Sequence, residues 1–70
     1  MSNSAVVTGL NDAIDRLDSK GVQDIILRNR DVLTPADLNK ALERVMANTA
    51  GDPGRRVTII KRLRDAGATD

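Results

Sequence analysis

Thr34-Pro35-Ala36-Asp37-Leu38-Asn39-Lys40-Ala41-Leu42-Glu43-Arg44-Val45-Met46 is the stretch on which the fold turns. It opens with the chemistry of a helix start. Thr34 can accept a hydrogen bond from a free backbone amide, and Pro35 at the first helical position removes an amide that would otherwise go unpaired. Asp37, three residues after Thr34, completes a capping box with a short acid. Leu38, Ala41, Leu42, Val45 and Met46 then return to one face, while Asn39, Lys40, Glu43 and Arg44 take the other. That recurrence follows the 3.6-residue period of an amphipathic helix. A helix is expected from about 34 to 48.

The same period appears upstream. Val6, Leu10, Ala13, Ile14 and Leu17 fall within an arc of about 120° at 3.6 residues per turn, with Asp12, Asp15, Arg16 and Asp18 outside it. This predicts a first helix over about 4–20, closed by Gly21 as a residue tolerant of the left-handed conformation. Val22, Ile25, Ile26 and Leu27 do not alternate, which argues for a short second helix over about 22–29. Asp24 in its first turn suits the helix dipole. Val32 and Leu33 in the connector are expected to tuck inward. Downstream, Ala50-Gly51-Asp52-Pro53-Gly54 has the composition of a loop. Ile59, Ile60, Leu63 and Ala66 then share a face of a last helix over about 56–66, with Gly67 as its cap. Val57 falls off that stripe and is expected to pack against the loop.

The expected fold is therefore all-α: a small four-helix domain of two helical hairpins, occupying residues 1–70 as one unit. Short connections favour antiparallel neighbours. The halves resemble each other loosely, since a first helix bearing Ala13-Ile14 or Ala41-Leu42 precedes a second rich in branched aliphatics. The core must be built from 18 Val, Ile and Leu residues, because the 70 residues include no Phe, Tyr or Trp. No Cys is present to staple so small a scaffold. Either the helices pack economically, or part of the apolar surface is buried against another chain, such as a second copy.

Composition narrows the chemistry. The sequence lacks His, Cys and Tyr, so the commonest general base, the thiol nucleophile and the usual zinc ligands are missing. No Gly-rich phosphate loop is present, and Asp12, Asp15 and Asp18 have neither calcium-loop spacing nor a setting that would raise a pKa. Neither an enzyme nor a cofactor or metal site is expected. No apolar run reaches the ~20 residues needed to span a bilayer, and the Met1-Ser2-Asn3-Ser4 start lacks the marks of a secretory signal. With no Cys to favour an oxidising compartment, a cytoplasmic location is expected.

Charge is distributed unevenly around a net of +1. Residues 1–52 carry a net −2 and residues 53–70 a net +3. Arg55, Arg56, Lys61, Arg62 and Arg64 could contact phosphates, and Thr58 could approach base edges, if the last helix entered a major groove. The same six residues could instead be an ordinary solvated polar face, or could meet an acidic protein.

Two resemblances bear on this choice. Leu33-Thr34-Pro35-Ala36-Asp37-Leu38 with the later Arg56-Val57-Thr58-Ile59-Ile60-Lys61-Arg62-Leu63-Arg64-Asp65-Ala66-Gly67 resembles the helix pair of winged-helix bacterial repressors, which implies a recognition helix in the second segment. The connection of residues 48–55 is about twice the 3–4 residues of a helix-turn-helix turn. Ile59-Ile60-Lys61-Arg62-Leu63-Arg64-Asp65-Ala66-Gly67-Ala68 is similar to the second helix and Gly-Ala exit of ankyrin repeats. Val22 to Asn29 is a fainter copy, and Thr34-Pro35 with Ala41-Leu42 echoes the repeat's first helix. That likeness implies a scaffold that binds proteins through its concave face and loop tips. The leading expectation is a non-enzymatic protein–protein interaction module of adaptor, inhibitor or effector type. The alternative is a small DNA-binding regulator using the basic last helix.

Overall fold

The computed structural model describes residues 4–68; Met1-Ser2-Asn3 and Thr69-Asp70 lie outside them. Four helices account for the structure: α1 (Ser4–Asp15), α2 (Ser19–Arg28), α3 (Pro35–Ala47) and α4 (Pro53–Ala66). There is no strand among the described residues. The fold is the expected all-α pair of hairpins.

α3 starts as its sequence requires. The Asp37 N–H donates to Thr34 Oγ1 and the Thr34 N–H to Asp37 Oδ2, both at 3.1 Å. These reciprocal bonds satisfy two amides at an end where four lack helical partners. Three other boundaries differ from the sequence reading. α1 stops at Asp15, five residues before Lys20, because Leu17 takes the left-handed conformation at φ 52°. Gly21 is not its cap. It lies in the first turn of α2, where its N–H donates to Asp18 Oδ1 at 3.0 Å, so α2 begins at Ser19 and not at Val22. A Cβ at position 21 would collide with that same carboxylate. α4 begins at Pro53 and not Arg56, because Asp52 accepts the Gly54 N–H at 2.9 Å and Pro53 occupies the first helical position. The Pro-Gly pair that reads as loop is the first turn.

A few contacts fix the topology. Gly9 lies against Ile25 and Gly51 against Leu17, while Leu38 approaches Gly67. Each helix is therefore antiparallel to the next, with the α1–α2 turn and the α3–α4 loop at one end. α1 packs on α2 and α3, and α4 packs on α2 and α3, so the helices form a ring in the order α1, α2, α4, α3. The body measures 34 × 21 × 17 Å.

The ring encloses Leu10, Ile14 and Leu17, Val22 and Ile26, Leu38, Leu42 and Val45, and Ile59 and Leu63, with Ala13 and Ala41 where backbones come close. Each buried branched side chain contributes about 1.5–3 kcal/mol of transfer free energy. Four large apolar side chains among the described residues are left outside: Val57 is 63% exposed, Leu27 56%, Met46 46% and Val32 41%. Leu33 does pack against the core. Val32 does not tuck in beside it, and Val57 does not pack on the loop.

Candidate interaction surface

The six polar residues singled out on the last helix do not form one site. Arg56 is partly buried and donates from Nη1 to the Asn48 carbonyl at 3.1 Å, tying α4 to the end of α3. Thr58 Oγ1 donates to the Gly54 carbonyl at 3.0 Å, one turn back in its own helix. Arg55 Nε lies 4.0 Å from Asp52 Oδ2. Lys61, Arg62 and Arg64 are exposed. Projected on the helix, Arg55, Thr58 and Arg62 line one strip and Lys61 and Arg64 another, with Val57 in the second. The basic charge is divided between two sides of α4.

The bonds of Arg56 and Arg44 orient these strips. Arg56 faces α3, and Ile60, one turn on, is partly buried on the same flank. Val57 and Arg64 come next around the helix, so their strip borders α3, whereas the Arg55–Arg62 strip borders α2. On α3, Arg44 reaches α1: its Nε and Nη2 donate to Asp15 Oδ1 and Oδ2, both at 2.7 Å. Met46 occupies the opposite flank and therefore borders α4. The Arg56–Asn48 bond and the Leu38–Gly67 approach set the register between the two helices. Of the residues turned away from the core, α3 carries the exposed Met46 and Glu43, and α4 the exposed Val57, Lys61 and Arg64.

The acidic side of α1 has structural work. Asp15 is bound by Arg44, whose hydrogen bonds hold its carboxyl below the ordinary value of 3.8; a general acid needs the opposite shift. Asp18 caps α2. No group of His, Cys, Asp and Glu able to hold a metal is found among the described residues. The cavity between Ile26, Arg30, Leu33, Leu38 and Ala66 measures about 50 Å³. Pockets that hold metabolites run to about 300–1,000 Å³, so this one is room for water at most. No helix among the described residues is long and apolar enough to cross a membrane.

No protein family, no curated protein and no solved structure matches this chain. Its surface is the remaining guide to function.

The sequence reading missed this face for two reasons. Met46 follows Val45 on the apolar stripe, yet Leu38, Ala41, Leu42 and Val45 already fill the inward arc. Val57 does carry a signal, a branched aliphatic off the stripe of Ile59, Ile60 and Leu63, although its place beside a Gly-Pro loop suggests packing there.

Proposed function

We propose that this chain acts by binding another protein chain, without catalysing a reaction, through the outward face of α3 and α4. The observation that carries this reading is Val57, 63% exposed on the most basic helix, with the half-exposed Met46 on α3, the helix packed beside it. Apolar side chains at the centre of a polar rim are the usual anatomy of a protein interface. Burying either one on a partner is worth about 1–2 kcal/mol from apolar area alone. The absence of His, Cys and Tyr from the sequence supports a non-catalytic role. Stacking of first helix on first helix and second on second is also the arrangement that helical-hairpin scaffolds use.

The nucleic-acid alternative has less behind it. Thr58 engages its own backbone, Arg56 engages Asn48, and Arg55 sits near Asp52. An apolar side chain in mid-face does nothing for phosphate contacts.

The test compares proteins captured from the native cell by the wild-type chain, by Val57→Asp and by Leu27→Asp, the last altering an exposed residue on α2. Both positions are exposed, so unchanged thermal melts are expected. The partner is lost with Val57→Asp and kept with Leu27→Asp. Equal capture by all three chains overturns the assignment. Duplex DNA binding that falls steeply with salt and weakens on Lys61→Ala would transfer it to nucleic acid.

A further inference from the structure

Resting on that docking face, we propose that the protein seated there is acidic, laying an aliphatic side chain on Val57 and carboxylates on Lys61 and Arg64. The positive charge of the chain is concentrated on the helix concerned. α4 holds five basic residues and one acidic residue, whereas α1, α2 and α3 together hold four basic and five acidic. The net charge of the whole chain is only +1, which gives weak attraction over a distance. Selection of an acidic partner therefore acts at contact, on this helix.

Val57, Lys61 and Arg64 fall at i, i+4 and i+7, within an arc of about 60° on one side of α4. All three are exposed. Lys61 and Arg64 are neighbours of like charge, and such neighbours repel. Asp65 lies one turn beyond Lys61, yet no ion pair joins the two. A carboxylate brought by a partner meets both cations on one strip.

The apolar member of the strip decides which anion fits. Val57 is 63% exposed beside these cations, and it gains only from a partner with apolar surface to lay on it. A phosphate backbone offers little of that, and it would draw equally on Arg62, which lies on the other strip of the helix. A protein segment carrying an aliphatic side chain between carboxylates matches both properties. A basic segment is repelled at the same place.

The test is carbodiimide cross-linking of the whole chain in a lysate of the native cell, with the joined peptides sequenced. The reagent links an amine to a carboxylate only where the two touch. The three lysines stand on different helices, Lys20 on α2, Lys40 on α3 and Lys61 on α4, so each link reports one face. Lys61 should join an Asp or Glu in an acidic stretch of another protein. Lys61→Arg should lose that link and keep the captured protein, which a misfolded variant could not do. Lys61→Glu should lower capture about tenfold, and Arg62→Glu, on the other strip, less than about threefold. The acidic partner is overturned if Lys61 links to no other protein or only to carboxylates of this chain. Equal losses from Lys61→Glu and Arg62→Glu overturn it too, and with salt-sensitive duplex DNA binding they give the helix to nucleic acid. If Val57→Asp loses the captured protein while Lys61→Glu keeps it, the partner is not acidic and the docking face stands. If capture is indifferent to Val57, both fall.

Discussion

α1 and α4 end in the same geometry with different residues. At the end of α1 the Leu17 N–H donates to the Ile14 carbonyl and the Asp18 N–H to the Ala13 carbonyl, both at 2.9 Å. At the end of α4 the Gly67 N–H donates to Arg64 at 3.1 Å and the Ala68 N–H to Leu63 at 3.0 Å. This paired closure needs a left-handed residue at the same step. Gly67 supplies it at φ 129°, free of a Cβ, on an exposed corner. Leu17 supplies it at φ 52° despite its side chain. A left-handed L-residue costs about 1–2 kcal/mol, and burial of the Leu17 side chain, only 5% exposed, offsets that with about 1.5–3 kcal/mol. Local preference decides the exposed end, and packing decides the covered one.

The largest effect follows from separating those two terms at Leu17. Leu17→Ala keeps a Cβ in the left-handed conformation and loses most of the buried side chain. Its expected cost is about 3 kcal/mol in urea unfolding, a large part of the about 4–10 kcal/mol that a chain of this length holds. Leu17→Gly loses the same packing and relieves the backbone. It should be more stable than Leu17→Ala by about 1 kcal/mol, the reverse of the order inside a helix. If alanine proves equal or better here, strain at Leu17 is not part of the account.

Leu17 owes its cover partly to the other hairpin. A Cβ added at Gly51 would run into Leu17 Cδ1 and come within 3.1 Å of its Cγ. The loop between α3 and α4 thus lies directly on the closing residue of α1, whereas a Cβ at Gly67 would find Leu38 Cδ1 at an ordinary 3.6 Å. Gly51→Ala should destabilise by about 2 kcal/mol through overpacking. In the Leu17→Ala background the obstruction is gone, and the cost of Gly51→Ala should drop by at least about 1 kcal/mol. Strictly additive costs in this double-mutant cycle would remove Gly51 from the explanation of the α1 end.

The same contrast explains which parts of the molecule were legible in the sequence. The start of α3 was readable because Thr34, Pro35 and Asp37 act within one turn of each other, and the Gly67 closure because glycine acts alone. Helical period alone marked all four helices and most of the core. The α1–α2 junction was not readable. Leu17 continues the apolar stripe of the first helix and gives no local sign that it ends it; its side chain lies against Gly51, 34 residues away. Gly21 looked like the cap because glycine usually is one, yet it serves α2 by leaving room for the Asp18 carboxylate. The proposed interaction face was half readable. Val57 stands off the stripe of its helix, but Met46 belongs to α3, and only the packing of α3 on α4 brings their two helices side by side.

One further difference between the two ends is electrostatic, and its effect is the smallest. Asp15, the last residue of α1, is held to Arg44 of α3 by two 2.7 Å hydrogen bonds. Arg44 keeps the Asp15 carboxyl below 3.8, its ordinary value in an unfolded chain. Both side chains are 48% exposed, so water screens the pair and its contribution is modest. The sign follows from linkage. A carboxyl with a lower pKa when folded binds its proton more readily after unfolding, so its contribution is complete above 3.8 and fades as pH falls below it. Between about pH 5 and 2, wild-type stability should therefore decline more steeply than that of Asp15→Asn, with the two curves parallel above that range. Arg44→Gln should flatten the acid limb in the same way, because it removes the group that lowers the Asp15 pKa. Identical acid limbs in all three proteins would show that the pair does nothing for stability, leaving burial of Leu17 beneath Gly51 to hold that corner by itself.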